Sequence, residues 1–171
     1  MKKFYTLLSY LLSVVVVSIV IYTSYKSTKP IQVIHSNYAH IPLPIALEKT
    51  NDTISKMLIR KKQNSCELIT QSGDTWFFAE PADMVLWQKE NRPTQKIYMW
   101  VYTIDTNRWL DAKIAWFSIR EKTVLGYGFG AREYKCKDCI SYKEMHKRVL
   151  HNETLLNPRI RKRLLEDVYE K

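Results

Sequence analysis

Apolar positions along the chain follow two different rules. From Phe4 to Tyr25 the run FYTLLSYLLSVVVVSIVIYTSY holds 22 residues without a charge. About twenty helical residues at 1.5 Å each span a bilayer core of about 30 Å, so this pattern predicts a transmembrane helix. A signal peptide has a shorter apolar stretch closed by a small-x-small site. Here the run closes on Ile21-Tyr22-Thr23-Ser24-Tyr25-Lys26, which favours an uncleaved anchor with Tyr5, Tyr22 and Tyr25 near the interfaces. The amino terminus and the Lys2-Lys3 pair tilt the positive-inside balance against Lys26 and Lys29. The expectation is a single-pass protein of the cell inner membrane with its body on the periplasmic side.

Beyond the anchor the apolar residues come in short strand-like runs. Residues 1–25 form the anchor and 26–50 a tether broken by Pro30, Pro42 and Pro44, in which Ile41, Leu43, Ile45 and Leu47 alternate and so can also pack on the body. Residues 51–150 make an α+β domain, and 151–171 add a basic C-terminal helix. Within the domain, Cys66–Thr70, the turn Gln71-Ser72-Gly73-Asp74 and Thr75–Ala79 read as a hairpin. Pro81 opens a helix whose apolar side is Met84, Val85 and Trp87, ending before Asn91-Arg92-Pro93. A second set follows: a strand over Lys96–Ile104, a turn at Asp105-Thr106-Asn107, and a strand over Ile114–Ile119. A helix over Tyr134–Leu150 and a short one over Pro158–Tyr169 complete the pattern. The expected class is α+β, a small mostly antiparallel sheet built from ββα-type units with helices on one side, preceded by a transmembrane helix.

Charge changes this picture little. Of the net +10, Lys2, Lys3, Lys26 and Lys29 contribute +4 without an opposing acid. Arg159, Arg161, Lys162 and Arg163 concentrate much of the remainder, with no nucleic-acid motif beside them, so a solvated basic face is expected and no nucleic-acid partner. Glycine is more informative. The chain has four, and three fall in Gly126-Tyr127-Gly128-Phe129-Gly130, which marks an obligatory backbone geometry. That loop lacks the Lys-Ser/Thr of a phosphate cradle and the spacing of a dinucleotide fingerprint.

Several segments, taken in order, resemble a known family. They are Met57-Leu-Ile, Cys66-Glu-Leu-Ile-Thr, Ser72-Gly73-Asp74-Thr-Trp-Phe-Phe78, Pro81-Ala-Asp-Met84-Val-Leu-Trp87, Trp109-Leu-Asp111-Ala112-Lys-Ile-Ala115-Trp and Leu125-Gly126-Tyr127-Gly128-Phe-Gly-Ala131. Over about residues 52–135 the chain resembles the NosL family, Cu(I)-binding periplasmic accessory proteins of nitrous oxide reductase. The resemblance implies that fold and compartment. It also implies a non-enzymatic copper-binding or copper-delivery role in assembling a copper enzyme, with that enzyme or its machinery as partner. The departures are specific. Asp52 and Ser55 stand where the family motif Cys-x-x-Cys-x-Met has its cysteines, leaving only Met57. Val124-Leu125-Gly126 replaces Pro-Met-Gly, and Ala79-Glu80 replaces a pair of aspartates.

Soft donors are dense only at Cys136-Lys-Asp-Cys139-Ile-Ser-Tyr-Lys-Glu-Met145-His146. On a helix, Cys136, Cys139, Lys143 and His146 share one face, so Cys136, Cys139 and His146, with Met57 from outside, are the candidate ligands for copper(I). The same Cys-x-x-Cys also suits a disulfide, which stands ahead of metal binding, and less well two inert thiols or a redox pair. Cys66 and Met84 read as core, and His35 and His40 as solvent-facing. Asp74, Asp83, Asp105 and Asp111 read as acceptors for backbone N–H groups at turns and helix starts. No nucleophile–base order supports an enzyme. Two alternatives stand beside copper handling: a metal-free structural or interaction subunit of a membrane complex on the same scaffold, and a thiol oxidoreductase using Cys136 and Cys139.

Overall fold

A computed structural model describes residues 2–27 and 29–166. The chain divides into two compact units, Met1–Pro30 and Ile31–Lys171. The first is helix α1 (Lys2–Ser27). Its segment Phe4–Thr23 is long and apolar enough to cross a membrane. Its hydroxyls turn back onto the helix, Ser13 Oγ donating to Ser9 O and Thr23 Oγ1 to Ile19 O, both at 2.9 Å. Such bonds leave these side chains no polar demand that hydrocarbon would fail to meet.

The second unit is α+β and contains two antiparallel sheets. The larger has the order β1-β3-β2-β4-β5, from Val33–Ile34, Cys66–Thr70, Thr75–Phe78, Ile97–Tyr102 and Trp109–Asp111. The smaller has the order β7-β6-β8, from Trp116–Ser118, Gly130–Arg132 and Cys139–Ser141. Helices α2 (Pro81–Asn91), α3 (Tyr142–Leu150) and α4 (Pro158–Glu166) follow the chain order. Residues 167–169 of the expected last helix lie outside the described residues.

Strand alternation sorts side chains into two cores, because successive residues point to opposite faces. Cys66, Leu68 and Phe78 join Met84 and Val85 of α2, Met145 and Val149 of α3, and Phe117 and Ala131 of the smaller sheet in the principal core. Phe77 and Ala79 face the other way, onto Ile45 and Ile59. The second core exists because residues 31–50 pack rather than trail: Val33 pairs with Trp76, and Ile31 bridges Thr50. Of the alternating residues in that stretch only Ile45 is fully buried, and Ile41 and Leu47 are exposed. His40, expected in solvent, stacks on Tyr98 with ring centroids 4.1 Å apart.

One helix is shorter than its spacing suggested. Residues 134–141 are not helical: Cys139–Ser141 is strand β8, paired with Trp116–Ser118, and α3 begins only at Tyr142. Ser141 caps it by accepting from the Glu144 N–H, so the preceding residues are free to follow the sheet.

The glycine loop meets the backbone requirement inferred for it. Gly126 and Gly128 have φ of +84° and +92°, and a Cβ on Gly128 would lie 2.5 Å from Leu155 Cγ. The Leu155 N–H donates to Tyr127 O at 3.0 Å, so Leu155 is fixed against the loop. Gly128→Ala therefore combines positive-φ strain with overpacking and is expected to destabilise the protein by about 2–4 kcal/mol. Gly126→Ala, whose Cβ would meet only Leu156 Cδ2 at 3.3 Å, should cost less. Thermal unfolding of the two variants of the detergent-purified chain would give that order.

Candidate functional site

Three separated segments meet at a buried acidic hub: the Asp52–Met57 turn, the junction of β3 with α2, and the glycine loop. Asp52, Glu80 and Asp83 have no exposed surface. Each carboxyl is handled differently, and the differences follow from the backbone around it.

Asp52 organises its own turn. Its Oδ1 accepts from the N–H groups of Ile54 and Ser55 at 2.7 and 2.8 Å, and its Oδ2 from that of Ala79 at 2.6 Å. The Asp52 N–H in turn donates to Met57 O at 2.8 Å. Three N–H donors thus satisfy both oxygens of a buried side chain. Thr53 adds a second clasp through its N–H and Oγ1, both donating to Phe77 O.

Glu80 explains the glycine loop. Its Oε1 accepts from the Leu125 N–H, its Oε2 has no partner of ordinary hydrogen-bond geometry, and the backbone of Gly126 and Tyr127 and the Thr123 hydroxyl lie close enough to favour its charged form. Successive N–H groups of a loop with positive φ form a concave anion cradle. Here the anion is the chain's own carboxylate. Burial pushes the Glu80 carboxyl above its ordinary range, and these bonds oppose the shift.

Asp83 was expected to serve backbone N–H groups at the start of α2, and it does not. Neither of its oxygens has a partner of ordinary hydrogen-bond geometry. Burial, and then the neighbouring Asp52 charge, push its carboxyl up to about 8. Tyr127 lies against it, with its phenol also raised by burial and by the Asp83 charge. Cys66 is the core residue expected, with no exposed surface, and burial and then the charges of Asp52, Glu80 and Asp83 push its thiol well up.

The residues proposed as copper ligands are not assembled. Cys136 and Cys139 are joined in a disulfide, with Cα atoms 4.9 Å apart. Because Cys139 starts a strand, the helical face expected to align both cysteines with Lys143 and His146 does not form. His146 lies on α3 beside Tyr142, and burial lowers its pKa, which leaves the imidazole neutral at pH 7. Met57 is 51% exposed at the end of its turn. Among the described residues, no three His, Cys, Asp or Glu side chains are grouped so as to hold a metal. In this disulfide form the donor set does not fit a soft cation, because both partly exposed thiolates are consumed and the third thiol is sealed.

Glu67 is the acid that sequence reading passed over. It lies in central strand β2, fully buried, with Oε2 accepting from the Leu43 N–H at 2.9 Å and Oε1 unpartnered. Its signal was available: a lone charge between Cys66 and Leu68 in an apolar strand. Burial pushes it up to about 8, against the Leu43 bond, so the folded protein carries it protonated at pH 7. A raised carboxyl stabilises the fold fully below the unfolded value, and that contribution fades as pH climbs to the folded value. Stability is thus expected to fall from about pH 5 to pH 8. Glu67→Gln should reduce the slope by about 1.4 kcal/mol per pH unit, one proton's worth, measured by denaturant unfolding at several pH values.

No family model matches the chain, and no curated protein or solved structure matches it.

Proposed function

We propose that this is a membrane-anchored accessory protein of NosL type, its body outside the cytoplasm, that serves the assembly of a copper enzyme such as nitrous oxide reductase through its surface rather than through a thiolate copper site. The observation that carries this reading is the Cys136–Cys139 disulfide. It leaves no accessible thiolate among the described cysteines, and disulfides persist in oxidising compartments, which supports the periplasmic side. The apolar helix α1 supplies the anchor, and segments around Met57, Pro81 and Gly126 that carry part of the family resemblance meet at the acidic hub. Those segments hold the scaffold together through carboxyl groups, so the resemblance is compatible with a metal-free interaction subunit.

Copper(I) carriage is the second reading, favoured by the exposure of Met57, the one donor of the family motif that this chain retains. It requires the disulfide to be opened first. The two separate in one experiment on the full chain in detergent. The oxidised protein is expected to leave Cu(I) with a competing chelator while still co-purifying with nitrous oxide reductase from cells that make both. Tight Cu(I) uptake by the reduced chain, abolished by Cys136→Ser/Cys139→Ser, would favour carriage instead. Failure of the oxidised chain to associate with the enzyme would remove the leading reading.

A further inference from the structure

The acidic hub poses a problem that its hydrogen bonds do not solve. Asp52 and Asp83 are neighbours without exposed surface, and an ionised carboxylate only accepts hydrogen bonds. Two such groups in contact are bonded only if one carries a proton. Asp52 already uses both its oxygens to accept from the N–H groups of Ile54, Ser55 and Ala79. Asp83 receives no N–H at all and has no partner of ordinary geometry; the Tyr127 phenol against it eases its charged form without offsetting burial and the Asp52 charge. The charged neighbours acting on it, Asp52 and Glu80, are both acidic, and the remaining titratable group against it is the Tyr127 phenol.

We propose that Asp83 holds a proton and donates it to the Asp52 carboxylate, forming a pH-sensitive latch between helix α2 and the Asp52–Met57 turn. The proton is the link that lets two acids share one buried site. Its loss leaves two carboxylates facing each other in a region of low polarity, and the turn is the element that yields. Its attachments at this point are the Ala79 bond made by Asp52 itself and the Thr53 clasp to Phe77. An opened turn admits water to the hub, where Asp83 regains the acidity of an ordinary carboxyl. Opening therefore releases one proton and becomes easier as pH rises.

The molecule contains its own reporter. Cys66 is buried within electrostatic reach of Asp52, Glu80 and Asp83, and it is the only free thiol among the described residues. Its alkylation by a maleimide requires opening. The test compares the full chain in detergent with Asp83→Asn, whose amide donates to Asp52 but does not titrate. In the opened, hydrated turn water screens Cys66 from Asp83, so thiolate content rises alike in both proteins and the ratio of their rates isolates the latch. The wild-type to variant ratio is expected to climb about tenfold per pH unit from pH 6 to about 8 and then level off. A ratio that stays constant over this range overturns the proposal. If Asp83→Asn does not fold, infrared spectra of Glu67→Gln serve in its place. A protonated-carboxyl band that disappears over the pH range in which Cys66 becomes reactive supports the latch, and the absence of any such band at pH 6 refutes it.

Discussion

A carboxylate removed from water must recover its lost hydration from donors, from a cation or from a proton, and the body of this protein meets that demand with little help from cations. Asp52 uses backbone N–H groups of its own turn and of Ala79. Glu80 uses the Leu125 N–H at the start of the glycine loop, and Glu67 that of Leu43. Each solution recruits backbone from a distant part of the sequence. The acids thereby fix loops that hydrophobic burial alone leaves underdetermined, since apolar contact has no direction while an N–H group aimed at an oxygen does. The two cores supply the cohesion, and the carboxyls set where the connecting segments go.

The hub also draws on segments that lie far apart in the chain. The segment around Asp52, the junction at Glu80 and the loop at Gly126 meet in space although more than 70 residues separate the first from the last. In this chain a carboxyl with three N–H donors, Asp52, stands at the centre of the first of these segments.

Regular elements were legible wherever periodicity and punctuation agreed. The hairpin at residues 66–78 follows alternation plus a glycine turn, and α2 follows Pro81, as observed. Residues 134–141 were misread because Cys136, Cys139, Lys143 and His146 also fit a helical period. The Ser141-Tyr-Lys-Glu144 spacing, a capping signature that places the helix start at Tyr142, carried the better information. The hub was only half legible. Asp52 and Glu80 stood out as departures from a pattern, but an acid in the first turn of a helix is ordinarily a cap. Nothing local distinguishes Asp83 from one until Asp52 and Tyr127 are brought beside it by pairings far along the chain. Two cores instead of one followed from residues 31–50, whose alternation permitted packing without requiring it.

The Cys136–Cys139 bridge closes a loop of only four residues. Cross-linking so short a segment removes little freedom from the unfolded chain, about 2 kcal/mol in the chain-entropy model, against more than twice that for a loop of 100 residues. The bridge adds little to a domain whose sheet pairing already holds Cys139 opposite Ser118. Opening it leaves the architecture standing and converts one patch of surface from inert to nucleophilic, so the oxidation state of this pair governs what the surface can react with far more than whether the protein is folded.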